Sequence, residues 1–238
     1  MVSLNKIQIG PDYRCQQPLN LYKSPTCDSL VTQSAIGRCL HVLEMPDTSD
    51  LDALRVCLCE DDYPGWLSAK DTQHLTAVLH PYRPTQMTAA DIQAQIPAVI
   101  RFTKAAMDQP NIYLWGGTIA PNYDCSGLMQ AAFASVGVIL PRDSYQQEEF
   151  VDPIAIEHLK PGDLLFFGTR DRTTHVALYL GEGRYIHSSG REQGRNGIGI
   201  DAITDLSDPI SLTYYRQLRG AGRINQSYQA TRQPISCR

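Results

Sequence analysis

A change of hydrophobic period at a proline pair restricts this chain's fold more than any other feature. His80-Pro81-Tyr82-Arg83-Pro84 disfavours helix, because a proline lacks a backbone donor and pushes the residue before it toward extended conformations. Upstream, apolar residues come in short runs, Leu19-Asn20-Leu21-Tyr22, Ile36 to Leu43 and Leu54-Arg55-Val56-Cys57-Leu58-Cys59, divided by turn residues at Ser24-Pro25, Pro46-Asp47 and Asp61-Asp62. Short strands at that spacing predict a small β-barrel. Downstream, Ile92, Ile96, Val99, Ile100, Thr103 and Met107 fall on one face of a helix. Thr88-Ala89-Ala90-Asp91 predicts a capping box at its start, and Pro97 predicts a kink or a restart.

The rest of the chain predicts one further helix and then an antiparallel sheet. Asp124 is a good N-cap, and Leu128, Met129, Ala131, Ala132, Phe133 and Val136 give an apolar stripe that stops at Gly137. Leu140-Pro141-Arg142-Asp143-Ser144 reads as a loop. Pro161-Gly162-Asp163 turns into the strand Leu164 to Phe167. Val176 to Leu180 and Arg184 to His187 flank the turn Gly181-Glu182-Gly183, and a last strand is expected near Leu212 to Leu218. Helix first and sheet after is an α+β order, not the alternation of a parallel α/β fold.

Cys125 would sit in the first turn of the second helix, where unpaired N–H groups and the helix dipole favour a thiolate. The glycines of Trp115-Gly116-Gly117 would let backbone pass close to the sulfur. A cysteine nucleophile needs a base and something to orient it. His175 and His187 lie six residues on either side of Gly181, so a hairpin there brings both imidazoles to one end. A register slip of one residue would turn one ring to the opposite face.

Composition excludes several partners. Lys plus Arg is 21 against Asp plus Glu at 25, a net charge of −4, which gives no footprint for nucleic acid or an anionic membrane. The N-terminus shows no unbroken apolar stretch with a cleavage site, and no run is long enough to span a bilayer. Seven cysteines at irregular spacing fit reduced thiols in a cytosol. Cys57 and Cys59 lack a second pair at zinc-site spacing, so packed thiols on one strand are expected, with no metal and no cofactor.

Tyr113-Leu114-Trp115-Gly116-Gly117, Asp124-Cys125-Ser126-Gly127, Leu140 to Ser144, Pro161 to Leu164, Thr174-His175-Val176-Ala177 and Ile186-His187 occur in the order and spacing of the NlpC-type, papain-like cell-wall cysteine peptidases. The resemblance covers about residues 96 to 222. Pro64-Gly65-Trp66-Leu67, after Glu60-Asp61-Asp62, resembles the Gly-Trp strand of bacterial SH3-like modules, such as the one preceding this domain in the γ-D-glutamyl-L-diamino-acid endopeptidases. Where the family often has Gly-x-Pro-Tyr, this chain has Gln109-Pro110-Asn111-Ile112-Tyr113.

The resemblance implies an SH3-like barrel followed by a papain-like α+β catalytic domain. It divides the chain into an arm (1–12), the barrel (13–80), a linker (81–87), the peptidase domain (88–224) and a tail from Asn225, read as loosely held (225–238). Cys125 would be the nucleophile, His175 the general base and acid, and His187 the orienting third member. Tyr113 would help hold the oxyanion with the Cys125 N–H. Asp124 would bind the free α-amine of the substrate, with the Tyr63 hydroxyl closing the far wall; Ser126 and Ser144 would bind the D-glutamyl part, and Trp115 is a further substrate-binding candidate. Arg142 is open between a structural and a carboxylate-binding role. Asp163 is scaffold. The implied reaction is hydrolysis of the γ-D-glutamyl to meso-diaminopimelate bond in L-Ala-γ-D-Glu-diaminopimelate stem peptides, in cytoplasmic murein recycling. Wall-fragment binding and acyl transfer to an amine are the alternatives, and no oligomeric state is implied.

Overall fold

The computed structural model describes residues 6–45, 53–205 and 207–234; the turn expected at Pro46-Asp47 and Cys237 lie outside them. The chain divides into two compact units, residues 1–84 with 115–119 and 229–238, and residues 85–114 with 120–228. The boundary therefore falls inside the 81–87 stretch expected to be a linker.

The first unit is one seven-stranded antiparallel sheet: β1 (Asp12–Cys15), β2 (Leu19–Tyr22), β3 (Leu30–Ser34), β4 (Cys39–Glu44), β5 (Ala53–Leu58), β6 (Pro64–Ser68) and β7 (Leu75–Ala77), ordered β3-β2-β6-β5-β4-β1-β7. The run Ile36 to Leu43 is not one strand. Gly37, at φ +89°, turns the chain between β3 and β4 and leaves Ile36 exposed. Tyr13, Leu21, Leu40, Leu54, Val56, Leu58 and Leu67 fill the core, and Ile7 joins them, so the segment expected as an arm is anchored there through Ile7 although Gln8 to Pro11 are exposed. The described end of the tail is likewise held, because Arg232 pairs with Asp12 and the Thr231 and Arg232 N–H groups donate to Asp62. A short β8 (Thr118–Ile119) belongs to this unit, with the Thr118 N–H donating to Gln33 on β3.

The second unit opens with α1 (Ala89–Met107), whose capping box of Thr88 and Asp91 forms as expected. Pro97 neither ends nor restarts it. The proline sits on the solvent face, while Ile92, Ile96, Val99 and Thr103 are buried on the other. After β9 (Asn122–Tyr123) comes α2 (Cys125–Ala134), buried nearly all round, so it lies within the core. Asp143, near the end of the loop expected at Leu140 to Ser144, then opens α3 (Ser144–Phe150); its N–H donates to Gln146 Oε1 at 3.0 Å.

The sheet of this unit has six strands, β10 (Asp152–Ile154), β11 (Leu164–Gly168), β12 (Thr173–Gly181), β13 (Arg184–Ser189), β14 (Gly197–Ala202) and β15 (Leu218–Arg223), ordered β10-β15-β11-β12-β13-β14 and antiparallel throughout. The segment expected as the last strand is instead α4 (Pro209–Arg216), opened by Asp208, which accepts the Ser211 N–H, and by proline in the first turn. Both faces of the sheet are covered. Leu164, Phe166, Val176, Leu178 and Ile186 pack with α1 and α2, whereas Leu165, Phe167, Ala177, Tyr185 and Tyr214 form a second cluster. This two-sided burial is why Leu164 to Phe167 reads as an unbroken apolar run. Asp163 holds the start of β11 by pairing with Arg223 through both oxygens. Among the described residues, no helix is long and apolar enough to cross a membrane.

Candidate active site

The site forms where the N-terminus of α2 meets β12. Asp124 caps the helix by accepting the Gly127 N–H at 2.7 Å, which leaves Cys125 as the first helical residue. The Val176 and Ser126 backbone N–H groups point at its sulfur. Cys125 is only 6% exposed, and burial together with the Asp124 charge pushes its thiol up to about 12. The expected resting thiolate is therefore corrected: helix end, Arg142 and two N–H groups pull toward the anion, but desolvation outweighs them. A base must take the proton.

That base stands in a row of hydrogen bonds. His175 Nε2 lies 2.7 Å from His187 Nδ1, and His187 Nε2 lies 2.6 Å from Asp201 Oδ2. Asp201 is an acceptor, since its bonds to His187 and Arg195 hold the carboxyl below its usual range against the opposing effect of burial. The tautomers follow by elimination. His187 donates from Nε2, so when neutral it accepts at Nδ1; His175 then donates from Nε2, and its Nδ1 carries the lone pair. Burial, and then the neighbouring His187, hold His175 well below its usual value of 6.5, so it is neutral and able to accept a proton.

Strand register explains how three strands build this row. In β12 and β13, Leu178 pairs with Ile186 and Tyr179 with Tyr185; in β13 and β14, Tyr185 pairs with Asp201 and His187 with Gly199. Continuing the first register sets His187 beside Ala177, so His175 and Asp201 are diagonal neighbours of His187 on the same face. Rings close around them. Tyr214 lies 4.6 Å from His175 and 4.8 Å from His187 between centroids, Tyr185 and Phe167 pack alongside, and the Tyr214 hydroxyl is bonded to Ser189 Oγ at 2.6 Å.

Tyr113 reaches the nucleophile because its backbone bridges to Tyr123, two residues before Cys125. Burial, then the charges of Cys125 and Asp124, keep its phenol protonated far above the usual range, so it is a hydrogen-bond donor. Asn111, at the departure from the family pattern, accepts the Ile198 N–H at 2.7 Å and ties this segment to β14.

Arg142 is held from within the chain. It is 1% exposed and grips Asp124 with both terminal nitrogens, at 3.0 and 2.5 Å, while a third bond of 2.9 Å reaches Ser126 Oγ. Ser126 thus belongs to a buried network behind the nucleophile, and Gln147 fastens it by donating to the Ser126 carbonyl. Ser144 is buried at the start of α3. Tyr63 and Trp115 lie in the first unit: Tyr63 is buried in the turn before β6, and Trp115 is 69% exposed. A Cβ on Gly116 would stand 2.8 Å from the Leu30 side chain and 3.0 Å from its backbone, so glycine there permits close approach to β3.

Asp201, Arg195 and Tyr214 escape a reading by sequence. The glycine-rich Gly197-Ile198-Gly199-Ile200-Asp201 gives a weak strand signal, although its isoleucines do alternate. Among the described residues, one further cluster has metal-ligand chemistry: Asp12, His41 and Cys59 in the first unit, with ligand atoms within 4.8 Å. There the Arg232 guanidinium binds both Asp12 oxygens and the Tyr82 N–H adds a 2.7 Å bond, so the carboxylate charge is matched by Arg232.

Comparison with known proteins identifies the two domains. Residues 110–219 match the NlpC/P60 family, and residues 21–71 match the bacterial dipeptidyl-peptidase Sh3 domain. The chain carries an NlpC/P60 domain. It is 39% identical over 84 residues to a γ-D-glutamyl-L-lysine dipeptidyl-peptidase of Bacillus cereus, covering 34% of this chain and 25% of the relative. It is 31% identical over 132 residues to the bifunctional muramidase/DL-endopeptidase CwlT of Bacillus subtilis, covering 52% and 40%. The chain thus spans well under half the length of these curated relatives. A crystal structure of an NlpC/P60 family protein from Bacillus cereus aligns over 90% of this chain and 63% of its own, with 26% identity and a TM-score of 0.46.

Proposed function

We propose that the NlpC/P60 domain is a cysteine endopeptidase that cleaves the γ-D-glutamyl to L-diamino-acid bond of cell-wall stem peptides with a free N-terminal L-alanine. The observation that carries this reading is the relay of 2.7 and 2.6 Å bonds that leaves the His175 lone pair on Nδ1, while the N–H of the next residue, Val176, points at the Cys125 sulfur. In this mechanism the Cys125 proton passes to His175 Nδ1 and the sulfur attacks the γ-carbonyl carbon. The oxyanion takes hydrogen bonds from the Tyr113 hydroxyl and the Cys125 N–H. His175 returns the proton to the departing amine, leaving an L-Ala-γ-D-Glu thioester. Water, deprotonated by the same nitrogen, then attacks the thioester carbon and frees the sulfur.

The bond class rests on the family match and on relatives named for γ-D-glutamyl-L-lysine cleavage. Asp124, Ser126 and Ser144 are assigned to the amine and D-glutamyl ends, with Tyr63 and Trp115 as further substrate contacts; all five roles rest on resemblance. Trimming of wall fragments in the cytoplasm is the matching biological role. The test is to incubate the protein with L-Ala-γ-D-Glu-diaminopimelate and with its L-lysine counterpart and to weigh the products. Release of L-Ala-γ-D-Glu is expected. Cleavage at any other bond, or none with either peptide, refutes the reading.

A further inference from the structure

The row of hydrogen bonds does not stop at the second histidine. Asp201 is 6% exposed, its Oδ2 faces His187 Nε2 at 2.6 Å, and Arg195 binds it through both Oδ1 and Oδ2. Arg195 has room to do so because the residue opposite His187 on β14 is Gly199. A Cβ there would fall 2.3 Å from Arg195 Nη1 and 2.6 Å from its Cδ. Gly199 has no left-handed φ, so space and not backbone conformation is what the glycine supplies. We propose that Asp201 is a positioning residue of the catalytic row, fixing the tautomers of both histidines and stabilising the positive charge that forms when His175 takes the Cys125 proton, and that Arg195, seated over Gly199, sets how much of the Asp201 charge His187 receives. The inference rests on the reading of Cys125 and His175 as nucleophile and base.

The charged and titratable groups facing His187 are His175 on β12, Tyr185 on its own strand, Asp201 on β14, Arg195 in the preceding loop and Tyr214 on α4; α2, which packs against β13, begins with Cys125. Asp201 and Arg195 act on it with opposite sign, the carboxylate favouring the imidazolium and the guanidinium opposing it. This opposition separates positioning from mere structural support, since loosening the fold would not drive the same titration in two directions.

The experiment follows alkylation of Cys125 by iodoacetamide against pH, reading the modified peptide by mass, and titrates the imidazole signals by NMR, all in the full chain. Asp201→Asn removes the charge in nearly unchanged shape. It should slow alkylation at neutral pH by about 10- to 100-fold, the loss expected for one hydrogen bond to a charged group, and move the His187 titration to lower pH. Arg195→Gln should move it to higher pH. Gly199→Ala, which displaces the Arg195 side chain from Cδ outward and meets no backbone among its nearest atoms, should do the same while far-UV dichroism stays that of the wild type. Shifts in one common direction, or none, overturn the inference. Because the readout needs no peptide substrate, shifts of opposite sign in a protein that cuts no stem peptide would uphold the row and refute the substrate reading. Stem-peptide cleavage with unmoved profiles would do the reverse.

Discussion

Arg142 offers the most direct test of how the nucleophile is held. It is buried, and its fork spans both oxygens of Asp124, the residue that caps α2 and precedes Cys125. Arg142→Met keeps much of the volume but leaves a carboxylate at 6% exposure without its guanidinium. Breaking such a pair from one side costs about 3–5 kcal/mol. At about 2–4 °C per kcal/mol for a chain of this size, the melting midpoint should fall by roughly 6–20 °C. Asp124→Asn alone should cost a similar amount, because it removes the carboxylate charge that faces the buried guanidinium. The double variant removes both charges while Asn still caps the helix, so it should melt above the sum of the two losses, by a coupling of about 1–3 kcal/mol. Arg142 also helps to lower the thiol pKa, so Arg142→Met should slow alkylation of Cys125 even where the protein is folded. Thermal denaturation of the wild type, the two single variants and the double variant completes the cycle. Additive losses would refute the argument, as would an Arg142→Met midpoint within about 1 °C of wild type, because either would mean that the fork carries no energy.

Cys125→Ala should abolish turnover of the stem peptide while leaving the fold intact, and residual turnover above trace would exclude the covalent route. His187→Ala should lower kcat with little change in KM, whereas His187→Gln should restore part of the rate by offering an acceptor to His175 Nε2; a wild-type rate in His187→Ala would remove it from the mechanism. Both histidines are held below 6.5 in the folded protein, so below that value the unfolded chain binds more protons; their stability is complete above about pH 6.5 and is lost as the pH falls, which thermal unfolding between about pH 8 and 5 would show and a flat profile would contradict. Peptides acetylated on the alanine nitrogen should be poor substrates, and Tyr63→Phe should narrow the kcat/KM gap between free and acetylated peptides; equal values in wild type would dismiss recognition of the amine.

The sequence alone determined the features that depend on neighbours along the chain. The capping box at Thr88 and Asp91, the cap that puts Cys125 in the first turn of α2, and the hairpin that carries both histidines each arise from a few adjacent residues. Such signals survive without knowledge of what packs where. The Asp208-Pro209 start of α4 was equally local, yet the apolar residues after it suited a strand as well as a helix. Tertiary structure alone decided what depends on distant partners. Arg142 meets Asp124 across 18 positions, and Asp201 meets His187 across 14 by way of a glycine-rich strand with little propensity of its own. The resting state of Cys125 was also decided there, because the helix end favours the thiolate whatever surrounds it, whereas desolvation is a property of the assembled core and here outweighs it.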